Sequence, residues 1–183
     1  MPNWCQNSVT ISGSKEQVDE FEQFLVQNDG KDWFDFFNPT PEELKTVDAG
    51  GWYKWNIENW GTKWNCNAQD WVREEDTISF WFDSAWGPPI ALYEFAENVG
   101  FTVYGQYHEE GMQFVGEFLE GADRYYEYDT VESLDEIPQH LVDEYFLRET
   151  LLEREEYEEE DEEFEVEDDS DDVSLFEDEE DEQ

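Results

Sequence analysis

Between Asn3 and Ser12 apolar and polar residues alternate, with Trp4, Val9 and Ile11 among polar neighbours, and the pattern breaks at Gly13-Ser14. That period predicts a strand. Helical spacing follows: Ser14 is placed as an N-cap, Gln17 completes a capping box, and Val18, Phe21 and Phe24 or Leu25 recur until Asn28-Asp29-Gly30. Trp33 to Phe37 is a short extended apolar run ended by Asn38-Pro39-Thr40-Pro41, and Trp52 to Asn59 is read as a short helix. Two strands are expected at Asn67 to Arg73 and Thr77 to Asp83, joined by Glu74-Glu75-Asp76. Pro88-Pro89 then opens a helix with Ile90, Leu92, Phe95, Ala96 and Val99 inward and Gly100 as its stop. Strands follow at Phe101 to Tyr107, Met112 to Leu119 and Tyr125 to Tyr128.

With the insert between helix and second strand set aside, the order is β-α-β-β-α-β, the split ferredoxin-like pattern, extended by a hairpin. The fold class expected is α+β: a ferredoxin-like sheet with a long Trp-rich insert over residues 1–130, a docking helix over 131–152 and an acidic tail over 153–183. The docking helix would carry Leu134, Ile137, Leu141, Tyr145 and Leu152 on one stripe. In this topology the first and third core strands are taken to run parallel, with the second and fourth opposite to them. Asn65, Ser84 and Trp86 would then share one edge with the Gly13 turn, and Asn3 and Trp4 would lie at the other edge near His108 and Glu109.

Three tryptophan-rich segments are the most individual part of the chain. They are Met1-Pro2-Asn3-Trp4-Cys5-Gln6-Asn7, Asn59-Trp60-Gly61-Thr62-Lys63-Trp64-Asn65, and Phe82-Asp83-Ser84-Ala85-Trp86-Gly87-Pro88-Pro89. Together with Tyr107-His108-Glu109-Glu110-Gly111-Met112 they resemble the YubB type of plasmid and phage proteins, over roughly residues 1 to 121. The Glu132 to Phe146 stretch is also similar to C-terminal segments of that family. The resemblance implies a ferredoxin-like domain and a mobile-element setting, and it carries no catalytic role.

Charge constrains the partners. The chain has 52 Asp and Glu against 9 Lys and Arg, a net charge of -43. Residues 1–128 hold 24 acids and 7 bases, residues 129–183 hold 28 and 2, so the excess is densest at the C-terminus. Such a surface repels nucleic acid and anionic lipid, because binding a phosphate backbone depends on Lys and Arg displacing counterions. It attracts basic protein surfaces. From Glu153 onward like charges repel and little apolar area offsets the lost chain entropy, so disorder is the expectation.

Two readings of that segment stand side by side: a solubilising tail, or a nucleic-acid mimic. Were Glu153 to Glu163 helical, at ~1.5 Å rise its charges would be spaced about 2 Å apart, against roughly 1.7 Å for duplex DNA. Tyr157, Phe164, Val166, Leu175 and Phe176, set among the acids, add the apolar anchors of a docking strand. The partner-binding candidates are accordingly Tyr157, Glu158, Glu159, Glu160, Asp161, Glu162, Glu163, Phe164 and Phe176. The expected partner is a basic, nucleic-acid-binding host or defence protein, which the chain would inhibit or modulate.

A second candidate is an aromatic, cation-bearing pocket of Trp60, Lys63, Trp64 and Trp86, weighed against the plainer reading of tryptophans as the core beneath an insert. Enzymatic signals are weak. Cys5 and His108 form the sole nucleophile-base candidate, nothing near Cys5 lowers a thiol pKa, and a buried core residue is the better reading. The sequence has no Gly-rich phosphate loop and no EF-hand spacing, and neither cysteine belongs to a Cys-x-x-Cys or Cys/His cluster, so no cofactor or metal is expected. No stretch reaches the roughly 18 apolar residues of a membrane span, and the N-terminus lacks signal-peptide features, so a cytoplasmic protein is expected.

Overall fold

The computed structural model describes residues 3–46 and 50–168, with the backbone alone over 158–168. The chain is mixed α+β, and its compact units divide between Tyr128 and Asp129. In the first unit the elements are β1 (Trp4–Ser12), α1 (Lys15–Gln27), α2 (Phe34–Phe37), α3 (Glu42–Lys45), α4 (Gly51–Trp60), β2 (Gln69–Glu74), β3 (Thr77–Ala85), α5 (Ile90–Asn98), β4 (Thr102–Glu109), β5 (Phe114–Leu119) and β6 (Ala122–Glu127). The strands form one six-stranded sheet in the order β2-β3-β1-β4-β5-β6, with every neighbouring pair antiparallel.

The pairing corrects the expected strand directions. β1 runs antiparallel to both β3 and β4, with Trp4 opposite Ala85 and Gln6 opposite His108. A strand-helix-strand crossover returns the chain in its original direction, so the parallel pairs are β1 with β2 and β3 with β4, each pair separated by an antiparallel strand. The start of β1 therefore meets the ends of β3 and β4 at one end of the sheet. Asn3 and Trp4 share that end with Trp86, His108 and Glu109. The Gly13 turn lies at the opposite end, where its N–H donates to the Asp76 carbonyl at 3.2 Å.

Alternation dictates the core. Along β1 the buried residues are Cys5, Asn7, Val9 and Ile11, so Trp4 and Gln6 project from the other face. Val9 and Ile11 join Ile78, Phe80 and Phe82 of β3 and Val103 of β4 in one cluster, covered by Val18, Phe21 and Leu25 of α1 and Leu92, Tyr93 and Ala96 of α5. Burying each large side chain contributes roughly 1.5–3 kcal/mol before entropy is set against it. The Ser14 capping box forms as expected, its hydroxyl accepting from Gln17 N–H while the Gln17 side chain accepts from Ser14 N–H. In α5 the inward face is Leu92, Tyr93 and Ala96, whereas Val99 is exposed, because the helix ends at Asn98.

The Trp33 to Phe37 run, expected to be extended, is mostly the helical turn α2. Helical spacing lets Phe34 and Phe37 face the core together while Trp33 is fully buried against Phe34, Phe80 and Phe82, with ring centroids 4.6, 5.1 and 5.2 Å away. Two backbone bonds fasten the far end of the insert here: Trp33 N–H to the Cys66 carbonyl and Ala68 N–H to the Gly30 carbonyl.

In the second unit a 3-10 turn (Glu132–Glu136) precedes α6 (Gln139–Glu144) and α7 (Leu147–Asp168). The expected single docking helix is thus three pieces. Pro138 stands at the α6 N-cap, where its ring ends the preceding turn, and Phe146 takes a left-handed φ of 52° before α7 starts. Leu134, Ile137 and Leu141 of the expected stripe are buried, Tyr145 is half-buried and Leu152 is exposed. The backbone of α7 is helical through Asp168, so the first part of the acidic segment is helical in this structure. Among the described residues no helix is long and apolar enough to cross a membrane.

The sheet allows no side chain at Gly116, which pairs with Tyr107. A Cβ there would overlap the Tyr107 phenol and lie 2.5 Å from the Arg124 carbonyl, while one at Gly87 would meet nothing within 4 Å. Gly116→Ala is expected to lower unfolding free energy by about 3 kcal/mol, and Gly87→Ala to change it by less than ~0.5 kcal/mol. Urea unfolding followed by tryptophan fluorescence measures both.

Candidate functional site

The insert's three helices and the turn after them hold a linked set of buried and half-buried polar side chains. Helix α4 ends at Gly61, whose φ of 87° closes the turn tightly enough that a Cβ would sit 3.2 Å from the Ile90 amide. Thr62 is buried and its hydroxyl donates to the Ala85 carbonyl at 2.9 Å, tying this turn to the end of β3. Asn56 is buried too: it accepts from the Thr40 hydroxyl at 2.8 Å and donates to the Lys63 carbonyl at 2.9 Å. Asn65 accepts from the Phe34 and Cys66 amides and donates to Asp35 at 2.9 Å. These bonds satisfy polar groups that would otherwise be buried unpaired, at a cost of about 1–3 kcal/mol each.

Within this frame the four expected pocket residues do not form one pocket. Trp60 is core, 2% exposed, with its indole N–H donating to the Asn38 carbonyl at 2.7 Å and its ring 5.2 Å from Phe34. Lys63 lies over aromatic faces, its Nζ 4.4 Å from the Trp64 ring and 5.7 Å from Tyr53. Trp64 is partly exposed and its ring centroid is 6.1 Å from that of Trp4. Trp86 is half-exposed, takes a φ of 72°, and donates its N–H to the Asn3 carbonyl at 2.9 Å. Left-handed backbone at a bulky residue is strained, and the strained turn holds Trp86 beside the start of β1.

Two cavities flank the Trp4-Trp64 pair. One of about 430 Å³ is lined by Asp32, Asp35, Thr40, Lys45, Trp52, Asn56, Trp60, Trp64 and Asn65. The other, about 400 Å³, is lined by Trp4, Gln6, Asn65, Cys66, Asn67, Gln69 and Asp83. Burial raises the carboxyls of Asp35 and Asp83 above the ordinary range; for Asp35 the nearby Lys45 opposes that rise. Sequence reasoning missed Asp32, Asp35 and Trp52, since single carboxylates carry no signal in so acidic a chain. Trp4 was expected at the end it occupies, near His108 and Glu109, but the inverted directions put Asn65, Ser84 and Trp86 at the opposite end, beside the Gly13 turn.

The tail candidates divide by what is described. Tyr157 is exposed. Glu158, Glu159, Glu160, Asp161, Glu162, Glu163 and Phe164 lie on the α7 backbone, and Phe176 is outside the described residues. Upstream in the same unit Leu147 and Leu151 are buried, and Arg154 donates to the Asp129 carbonyl.

Geometry separates Cys5 from His108. Cys5 is fully buried among Tyr107 and Phe114, and burial pushes its thiol well above the ordinary value; the same holds for Cys66. Cys5 and Gln6 point to opposite faces, and His108 is the cross-strand partner of Gln6, so sulfur and imidazole are on different sides of the sheet. The His108 Nε2 is instead 2.6 Å from the Tyr128 hydroxyl. Among the described residues no cluster of His, Cys, Asp and Glu could hold a metal ion.

His108 gives a pH signature. Burial lowers its pKa from 6.5 to about 4, against an opposing pull from Glu109. The fold favours the neutral ring, so this contribution is complete above pH 6.5 and is lost as pH falls toward 4. The unfolding free energy of the wild type relative to His108→Gln should fall across that window by on the order of 3 kcal/mol. Paired urea titrations at several pH values check it, and the difference removes effects common to both proteins.

Compared with protein-family models, with curated proteins and with solved structures, the chain matches none.

Proposed function

We propose that this is a non-enzymatic protein that binds a basic, nucleic-acid-binding partner and modulates or inhibits it, the acidic C-terminal arm taking the place of a nucleic-acid backbone. The observation that carries the reading is the helical backbone of α7 through the most densely acidic stretch of a chain of net charge -43. Helical rise sets the charges of Glu155 to Glu163 at about 2 Å spacing, close to the roughly 1.7 Å of duplex DNA. Positions 157 and 164 are two turns apart and fall on one side of α7, which suits apolar anchors accompanying electrostatic attraction. Direct nucleic-acid or membrane binding does not fit this charge.

The first unit fits a ferredoxin-like core: β1-α1-β2-β3-α5-β4 with order β2-β3-β1-β4, to which β5 and β6 are added. With the tryptophan-rich segments this supports a relation to the YubB type and a mobile-element origin, phage or plasmid. Two free, buried cysteines suit a reducing, cytoplasmic setting. A second reading, ligand binding at the insert, is favoured by the cavity against Trp52, Trp60 and Trp64.

Full-length protein, immobilised and exposed to host lysate, should retain basic DNA-binding proteins, and added duplex DNA should release them. A chain ending after Arg154 keeps the buried Leu147 and Leu151 and should stay folded by circular dichroism while losing most of that binding. Equal binding by the shortened chain, with no release by DNA, would remove the mimicry reading.

A further inference from the structure

The cavity of about 430 Å³ combines aromatic walls with carboxylates in a way the arm does not explain. Trp52 and Trp64 supply partly exposed π faces, buried Trp60 completes the lining, and Asp32 and Asp35 supply negative charge from α2 and the residues before it. We propose that this cavity is a binding site for an organic ammonium group on an alkyl stem, as in a lysine side chain or a free amine. The inference rests on the cavity and is independent of the acidic arm.

Three observations carry it. First, the charge inside is only partly compensated: Lys45 is the one base among the described lining residues, and its ammonium also pairs with Glu42 at 2.7 Å, so Asp32 and Asp35 share a single, already engaged cation. Second, Asp35 is half-buried and accepts a hydrogen bond from neutral Asn65, and its raised pKa reports a carboxylate that has lost water without gaining a full counterion. A cationic ligand supplies that counterion. Third, the Trp64 indole of this lining accepts an ammonium within the chain itself: Nζ of Lys63, which lies outside the lining, is 4.4 Å from its ring. Indole faces attract cations through their quadrupole, and the effect grows with desolvation. An anionic ligand would meet both carboxylates, and a neutral apolar one would take further water from half-buried Asp35 without compensation.

The size suits a side chain or small amine, since ligand cavities begin at about 300 Å³. The neighbouring cavity against Trp4 and Asp83 has a single lining carboxylate and one tryptophan, so it lacks the converging walls.

The test uses the full chain in about 0.15 M salt, which screens diffuse attraction to its surface charge. n-Pentylammonium, Nα-acetyl-lysine methylamide and neutral n-pentanol are titrated while the tryptophan indole N–H resonances are followed by NMR. n-Pentylammonium should bind at least ~10-fold more tightly than pentanol and shift the cavity indoles. Asp35→Asn, which keeps the acceptor for Asn65, should weaken cation binding by ~10-fold or more. Glu110→Gln, an exposed acid elsewhere, should leave it unchanged. Lys45→Gln should strengthen it by removing a competing ammonium. Binding of the lysine derivative as well identifies a protein side chain as the natural occupant, and binding of pentylammonium alone identifies a free amine. Equal affinity for pentanol, loss of binding in Lys45→Gln, an unaltered Asp35→Asn that remains folded, or equal weakening by Glu110→Gln would each overturn the proposal.

Discussion

Antiparallel pairing of β1 with both β3 and β4 is the constraint on which the arrangement of the first unit depends. Because Trp4 stands opposite Ala85 and Gln6 opposite His108, the chain's start, the turn after β3 and the end of β4 share one end of the sheet. The insert is drawn to the same end, with Thr62 bonded to the Ala85 carbonyl and Trp64 packed near Trp4. A one-residue slip in β1 would exchange the faces of Val9 and Ile11 with those of Ser8 and Thr10, so burial of that pair holds the register. Local choices in the insert depend on this frame rather than creating it.

The second governing quantity is charge. Residues 1–128 alone carry 24 acids and 7 bases, and self-repulsion opposes compaction. The opposing term is a core dense in aromatic rings, in which Trp33 touches Phe34, Phe37, Phe80 and Phe82 at centroid distances of 4.6 to 6.0 Å. Bases are placed sparingly: Arg73 bridges Asp19 and Glu22, and Arg124 reaches buried Glu117. Exposed pairs such as Lys54 with Glu58 add little to stability. What remains is an acidic surface with a few aromatic rings, the combination on which the proposed basic partner rests.

Much of this was legible in the sequence because local rules agree with the fold. The Ser14 capping box, the Gly100 stop, the Pro88-Pro89 entry to α5 and the alternation of β3 are all signals of short range. Strand direction is not local. It follows from how crossovers thread the sheet, and inverting it set Asn65, Ser84 and Trp86 beside the Gly13 turn, away from Trp4. The four proposed pocket residues failed to converge for a related reason. Trp60 and Lys63 are three apart on either side of a left-handed Gly61, which breaks the helical spacing that would have set them on one face. Asp35 became visible as a site residue only once Asn65 and the insert were placed beside it.

Under the proposed function, recognition by this chain is electrostatic and directed at a basic surface that holds a nucleic-acid backbone. The measurement that bears on it most directly is the salt dependence of affinity between the full chain and a partner it retains. Displacing several paired charges predicts that log K falls steeply and linearly with log salt, losing on the order of 10³ between about 50 and about 200 mM. An affinity that stays flat across that range would contradict the claim and place recognition in apolar contacts instead.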